Sequence, residues 1–577
     1  MNERICDGLA IFWAVCRLLY WKLWGCKPRR LNHNYGPKGN ENFISAAQAA
    51  ELIPDRATVI VCALGATGWC PAIFRAVAQR FSALGTPREF KITAPAGQGA
   101  RGKIPWSIDD WGKYPGLIFR FITGHVESFR HIRQAACQSW LDLVCLPQGD
   151  LSRLFSAMAE GKKEFVSADA VGTFVDERFG PGVKGNLSQN KCWVTVTAKG
   201  QLSYTCSKPD IAIINATKAD EDGNISVENS ALLGETLAAA KATKLNGGKV
   251  MVQVGRAVKK LPNEEIYLPW YLVDRVVVRP ETPQAFCFTQ NHPWRALVAG
   301  ANVNLRRALL VNTVLSRIAG LSPRRDKTDA RIARMAAWML ANKLAPGARG
   351  NIGVGLPEEV AKCLVQGGVM ADLNIQVESG PQGGIAASGP FFGCMINPKQ
   401  HRESGRVFDD FAAQGLDFTV LGALEIDWEG NANLSRSGPE ITDVIGPGGA
   451  INIIAAAKIV VFVMRRNHKS GACRFVDKVQ EVTFNAKQAL AAGKTVYYVT
   501  DKCVLELTAE GLALSYYLAD VAVDPEQTIK LFPPGFPILC GTRFEGCEAR
   551  NTASFPKSVE AGENFKLVLL GSADSNM

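Results

Sequence analysis

Two stretches of this 577-residue chain repeat one unusual pattern: Asp220-Glu221-Asp222-Gly223-Asn224 and Asp427-Trp428-Glu429-Gly430-Asn431 both read Asp-x-Asp/Glu-Gly-Asn. Each follows an apolar stretch and has the composition of a turn between strands. Each is succeeded by a Gly-Gly pair and a further apolar strand, GGKVMVQV from Gly247 and GGAINIIAAAKIVVFV from Gly448. Upstream the correspondence continues. Pro54-Asp55 leads through TVIVCAL to a glycine turn at Gly65 and Gly68, then to Pro71 and a helical run. Pro346-Gly347 leads through NIGVG to Pro357 and another helical run. The chain therefore reads as two copies of one α/β unit. Strands alternating with helices imply mostly parallel sheets covered on both faces. The expected architecture is two homologous open α/β domains fused in one chain, with a ligand cleft at their interface.

A single core stops growing at about 250–300 residues, so a chain of this length needs such a division. The join falls where RPETPQ and LSPRRDKTD are polar and proline-bearing, and a helix is expected from Asp329, because ARIARMAAWMLANKL repeats apolar residues every three to four positions. The expected segments are an N-terminal extension 1–38, a first domain 39–280, a linker region 281–328 and a second domain 329–577. In the extension, LAIFWAVCRLLYWKLW (Leu9–Trp24) is short for a membrane span and is interrupted by Arg17 and Lys22. At helical spacing Ile5, Leu9, Phe12, Cys16, Leu19 and Leu23 share one face. Membrane association is confined to residues 5–24 in this reading; a partner-docking helix and a dispensable leader stand beside it as alternatives.

Composition narrows the function. A net charge of +11 suits an anionic small substrate, and the scattered basic residues lack zinc-finger or RNA-binding signatures, so nucleic acid is not expected. Sixteen cysteines without a Cys-x-x-Cys pair point to a reducing cytoplasm, and residues such as Cys62, Cys145 and Cys363 sit in apolar runs. Six histidines without paired spacing give no metal site.

The chemistry-bearing stretch is IQVESGPQGG, Ile375–Gly384. A short apolar run delivers Glu378 into a Ser-Gly-Pro turn, and the glycines that follow clear space for main-chain N–H groups and a bulky substrate. A carboxylate held this way can carry an acyl group covalently. The same ten residues also describe a strand-end glutamate beside a tight turn.

The surroundings decide between the two. NIGVGLPEEV (Asn351–Val360), ESGPQGG, GLDFTVLGALEIDWEGNANLS (Gly415–Ser435) and GPGGAINI (Gly446–Ile453) together resemble the C-terminal half of the family I CoA-transferases. ALGATGWCP (Ala63–Pro71), LPQGDLSRLF (Leu146–Phe155), GTFVDERFG (Gly172–Gly180) and KADEDGNISVEN (Lys218–Asn229) resemble its N-terminal half, in order. The resemblance runs over about residues 42–545 and is nearest to the fused single-chain enzymes acting on acetate, propionate or similar acids.

The resemblance implies ping-pong transfer of coenzyme A between a short-chain acyl-CoA and a carboxylic acid through a thioester on Glu378, with coenzyme A thioesters as substrates and no tightly bound cofactor. It implies oxyanion donors at the Gly422 and Ala423 amides, and substrate-binding roles for Gly65, Gly68, Gln148, Gly353, Gly355 and Gly380. Gly422 also reads as a site of tight strand packing. His125 and Gln148 could position a carboxylate or be ordinary structural groups. Asp176 and Glu425 read as turn or packing partners. Bulky Trp69 and Cys70 depart from the family pattern at the first glycine turn; if Trp69 faces the acyl pocket, short acids are preferred. An acyl-CoA hydrolase and a non-catalytic CoA-binding protein remain alternatives, and a cytoplasmic homo-oligomer, dimer or tetramer, is expected.

Overall fold

The computed structural model describes residues 3–25, 30–320, 325–517 and 529–540. Its frame is two sheets. In the first, β1 (Thr58–Val61), β2 (Phe90–Ala94), β3 (Ile118–Thr123), β4 (Asp142–Cys145), β5 (Ile211–Asp220), β6 (Lys249–Val258) and β7 (Arg275–Val278) lie in the order β7-β6-β5-β1-β2-β3-β4, all parallel. The second contains β8 (Arg349–Ile352), β9 (Asn374–Ile375), β10 (Leu416–Gly422), β11 (Ala457–Val463) and β12 (Thr495–Val499), in the parallel order β9-β8-β10-β11-β12. That is the arrangement β2-β1-β5-β6-β7 over again. The first sheet grows past β2 by two parallel strands. The second grows past β12 by β13 (Cys503–Thr508) and β14 (Gly511–Tyr517), both antiparallel to their inner neighbours, with β15 (Ile538–Cys540) at the edge.

The strands read as continuous apolar runs because both faces are covered. In β1, Val59 and Val61 join the core on one side of the sheet while Ile60 joins the core on the other. In β11, Val460 and Phe462 face one core and Val461 and Val463 the opposite one. The repeated turns superimpose bond for bond. Asp220 accepts from the Asn224 N–H at 2.8 Å and from its side-chain amide at 3.0 Å. Asp427 does the same to Asn431 at 2.9 and 3.1 Å.

The helices also start as their sequences dictate. Pro71 and Pro357 stand in the first turn of helices Pro71–Leu84 and Pro357–Gln366, where the missing N–H costs nothing. The helix expected from Asp329 spans Lys327–Lys343; its start is set by Asp326, which forms a reciprocal capping box with Asp329.

Two stretches differ from the sequence reading. The run after Gly448 is a helix, Ala450–Ala456, before it becomes strand Ala457–Val463. A largely apolar run has no clear period, and sixteen residues exceed an ordinary strand, so length is the signal that divides it. Residues 281–328 hold the hairpin Pro283–Ala285 with Phe288–Thr289 and the helix Leu305–Ala319, capped by Asn304 and Gly320. The stripe read in the N-terminal helix α1 (Glu3–Tyr20) is its exposed face, and the helix docks by the opposite one. Ala14, Leu18 and Trp21 are buried, Trp21 meets Phe286 at 5.0 Å, and Asp7 accepts from Arg307 at 3.2 Å. Ile5, Leu9, Phe12, Cys16, Leu19 and Leu23 point outward. Among the described residues no helix is long and apolar enough to cross a membrane.

Candidate active site

Beyond the carboxyl ends of β8 and β10, where the two halves meet, lies a cavity of about 510 Å³. Its walls come from both halves: Gln148 and His125 from the first, Asn351, Glu378, Gly422 and Gly449 from the second. The seam is zipped by main-chain hydrogen bonds. Val126 N–H donates to Ile445 O at 2.7 Å, Gly448 N–H to Gly124 O at 2.8 Å, and Gln148 N–H to Gly448 O at 2.8 Å. The glycines of GPGG make this approach feasible. Gly446 sits at φ +86°, and a β-carbon there would stand 2.7 Å from Gly124 O.

Glu378 follows the short strand β9, and its loop is fixed at several points. Asn351, in β8, donates its side-chain N–H both to Gln376 O and to Glu378 Oε2, each at 3.0 Å. Ser404, the first residue of the helix Ser404–Gln414, donates its hydroxyl to Glu378 O at 2.9 Å while its N–H donates to Gly234 O of the first half at 2.8 Å. Behind it, Ser404 Oγ lies 3.3 Å from Ser152 Oγ, and Ser152 donates to Glu235 at 2.7 Å. Burial in the cavity wall raises the Glu378 pKa above its ordinary value; hydrogen bonds from its own main-chain N–H and from Asn351 work against that rise. Gly449 lets the neighbouring loop come close, since a β-carbon there would be 3.2 Å from Glu378 Cγ.

The other expected residues divide. Gly422 and Ala423 line the cavity. A β-carbon on Gly422 would meet nothing within 4 Å, so tight strand packing does not account for this glycine. Gly353 and Gly355 line it too; Gly353 donates to Val420 O at 2.9 Å and Gly355 adopts φ +87°. Gln148 opens the helix Gln148–Ala159 and is 5% exposed, with a side-chain amide nitrogen that has no hydrogen-bond partner. His125 Nδ1 lies 3.0 Å from Ser128 Oγ, and desolvation holds its pKa below the ordinary value. Gly65 lines an adjoining space of about 430 Å³ that shares His125 and Phe392 with the main cavity.

Gly68, Gly380 and Trp69 lie outside both walls. Gly68 donates to Gln284 O at 3.3 Å in the first glycine turn. Gly380, at φ +128°, turns the Glu378 loop where a β-carbon would collide with Arg402 O. Trp69 is 3% exposed and packs in a buried apolar core with Val59, Val61 and Phe74, and so lines neither space. Asp176 and Glu425 are packing partners, the first paired with Arg178 at 2.7 Å and the second accepting from Asn433 at 2.8 Å.

Sequence reasoning missed Asn351, Ser404, Gly449 and Arg474. Asn351 opens the NIGVG motif and Gly449 closes GPGG, so the motifs were visible while the contacts were not. Arg474 lines the cavity and donates to Ala423 O at 3.0 Å, fixing the peptide that follows Ala423. Among the described residues no cluster of three or more His, Cys, Asp or Glu could hold a metal.

The sequence model of the family described as Coenzyme A transferase matches residues 43–279. Over 490 residues the chain is 32% identical to the caffeate CoA-transferase of Acetobacterium woodii, covering 81% of this chain and 89% of that one. Over 515 residues it is 31% identical to the acetate CoA-transferase YdiF of Escherichia coli K12, covering 85% and 90%. The crystal structure of the acyl-CoA transferase YdiF apoenzyme from Escherichia coli O157:H7 matches with a TM-score of 0.70 at 27% identity, over 85% of this chain and 91% of that one. A thioester complex of the same enzyme with CoA matches with a TM-score of 0.68 at 28% identity, over 86% and 93%.

Proposed function

The chain belongs to the coenzyme A transferase family, and from that premise we propose that Glu378 is the nucleophile that moves coenzyme A between an acyl-CoA and a carboxylic acid. The observation that carries this reading is Glu378 itself: a carboxylate on the wall of the inter-half cavity, fixed by Asn351 at 3.0 Å.

The Glu378 carboxylate attacks the thioester carbonyl, and the C–S bond breaks. This gives a mixed acyl-glutamyl anhydride and CoA thiolate. The thiolate attacks the glutamyl carbonyl, giving a glutamyl-CoA thioester and releasing the first acid as carboxylate. The incoming carboxylate attacks that thioester, re-forming an anhydride and thiolate, and thiolate attack on the new acyl carbonyl regenerates Glu378. Every step passes through an oxyanion. The Gly422 and Ala423 amides are the donors we assign to it, with Arg474 holding the Ala423 peptide in place. Gln148, with its unpartnered side-chain amide in the wall, is suited to bind the acid's carboxylate. Gly65, Gly353 and Gly355 border the space for substrate.

The acids we propose are small, of the acetate, propionate or 3-oxoacid type, in keeping with the relative named for acetate; the relative named for caffeate marks a larger acid as the competing choice. We further propose a cytoplasmic homo-oligomer whose catalytic unit is the pair of domains 39–280 and 329–577. Hydrolysis of acyl-CoA is the second reading, and an acceptor requirement separates it from transfer.

The test is incubation with acetyl-CoA and no acceptor, followed by peptide mass analysis. A CoA-sized adduct on the peptide containing Glu378, absent together with turnover in Glu378→Gln, is expected. Full exchange by Glu378→Gln would overturn the assignment. CoA release at one rate with or without acetate or propionate would favour the hydrolase.

A further inference from the structure

The helix Glu3–Tyr20 with its continuation Trp21–Gly25 presents an apolar ridge to solvent. Ile5, Leu9, Phe12, Leu19, Tyr20 and Leu23 are each more than half exposed, Phe12 to 68%. With exposed Cys16, residues Ile5, Leu9, Phe12, Leu19 and Leu23 recur every three to four positions, so they form one stripe along about 30 Å of helix, with Tyr20 beside it. Contiguous exposure of this kind is rare on a surface with no partner. The ridge is also firmly seated. Its opposite face buries Ala14, Leu18 and Trp21, and Trp13 at its edge stacks on Phe288 at 5.5 Å. The outward stripe is therefore a fixed feature of the molecule.

We propose that this ridge docks the enzyme on an anionic lipid surface, lying in the plane of the bilayer. Charge supports the choice of occupant. Residues 1–30 carry six cations (Arg4, Arg17, Lys22, Lys27, Arg29 and Arg30) and two acids, Glu3 and Asp7, an excess of four in a chain whose net charge is +11. Of the acids, Asp7 is turned inward onto Arg307. An exposed apolar and aromatic face on a segment with a basic excess, Lys22 exposed within it, is what an interfacial helix needs. A second copy of the chain would bring together two segments with the same positive excess, whereas acidic headgroups neutralise it. A ridge also enters a fluid interface without a matching groove. Because no helix among the described residues is long and apolar enough to cross a membrane, the proposed docking is peripheral and depends on salt.

The experiment is flotation of the full chain with vesicles of equal parts phosphatidylglycerol and phosphatidylcholine, beside vesicles of phosphatidylcholine alone. Co-flotation with the mixed vesicles at low salt, release at high salt, and quenching of tryptophan fluorescence by acyl-brominated lipid are expected. The double variant Phe12→Ser/Leu19→Ser alters exposed side chains and should lower vesicle partition by about tenfold or more while leaving transferase turnover unchanged. Absence of flotation, or flotation untouched by the double variant, overturns the proposal. A wild-type dimer in light scattering that this variant dissociates, with no lipid binding, assigns the ridge to a second copy instead.

Discussion

The hydroxyl of Ser404 donates to the main-chain carbonyl of Glu378 at 2.9 Å, while the Ser404 N–H donates to Gly234 O across the seam. One residue therefore ties the loop carrying the proposed nucleophile to the opposite half of the molecule. Ser404→Ala should leave that carbonyl without its donor, at about 1–3 kcal/mol. We expect adduct formation on Glu378 in single turnover to slow by about tenfold, with little change in KM for the acyl-CoA and recovery in Ser404→Thr. An equal fall in Ser404→Ala and Ser404→Thr would assign the loss to packing.

The proposed nucleophile must be ionised to attack. Its pKa is raised, so part of it stays protonated at pH values where an ordinary glutamate is fully charged, and the acid limb of kcat/KM should lie above the usual glutamate range. Asn351 donates to the charged form and lowers the pKa. Asn351→Ala should therefore move the acid limb to higher pH, and Asn351→Asp further still through like-charge repulsion. Profiles that coincide with wild type would disconnect Asn351 from the ionisation.

Gly446 and Gly422 make a paired test of the seam. Gly446→Ala forces a β-carbon to within 2.7 Å of Gly124 O in a backbone at φ +86°, and should lower both Tm and activity. Gly422→Ala places a methyl group in open cavity. It should leave the denaturation midpoint unchanged and reduce kcat/KM. A loss of stability in Gly422→Ala would remove it from the wall.

Trp69 stands in the core at 3% exposure. Trp69→Ala should cost about 3–5 kcal/mol in urea denaturation without altering the order of preference among acetate, propionate and octanoate. A shift toward longer acids would return Trp69 to the acyl pocket, as the sequence reading expected.

How far the sequence carries is clear from particular residues. The twin Asp-x-Asp/Glu-Gly-Asn turns and their flanking apolar runs revealed two like sheets, because local turn chemistry and strand burial are written in adjacent residues. Glu378 stood out because glycines cluster after a strand end. Asn351 and Ser404 could not be assigned to it, since 27 and 26 residues separate them from Glu378 and only the fold brings them together. At the N-terminal helix the spacing showed that Ile5, Leu9, Phe12, Cys16, Leu19 and Leu23 share a face, which is the exposed one; the docked side, with Ala14, Leu18 and Trp21, was not legible because its partners Phe286 and Phe288 are remote in sequence.

Asp150 and Asn452, which join the halves by a 2.9 Å hydrogen bond behind the cavity, are 302 positions apart in sequence. Contacts so remote are expected to form after each half has its own sheet. The proposed site is then expected to be a late product of folding. Its appearance should lag the recovery of secondary structure, yet stay first order in protein, because the tether makes the meeting of the halves intramolecular.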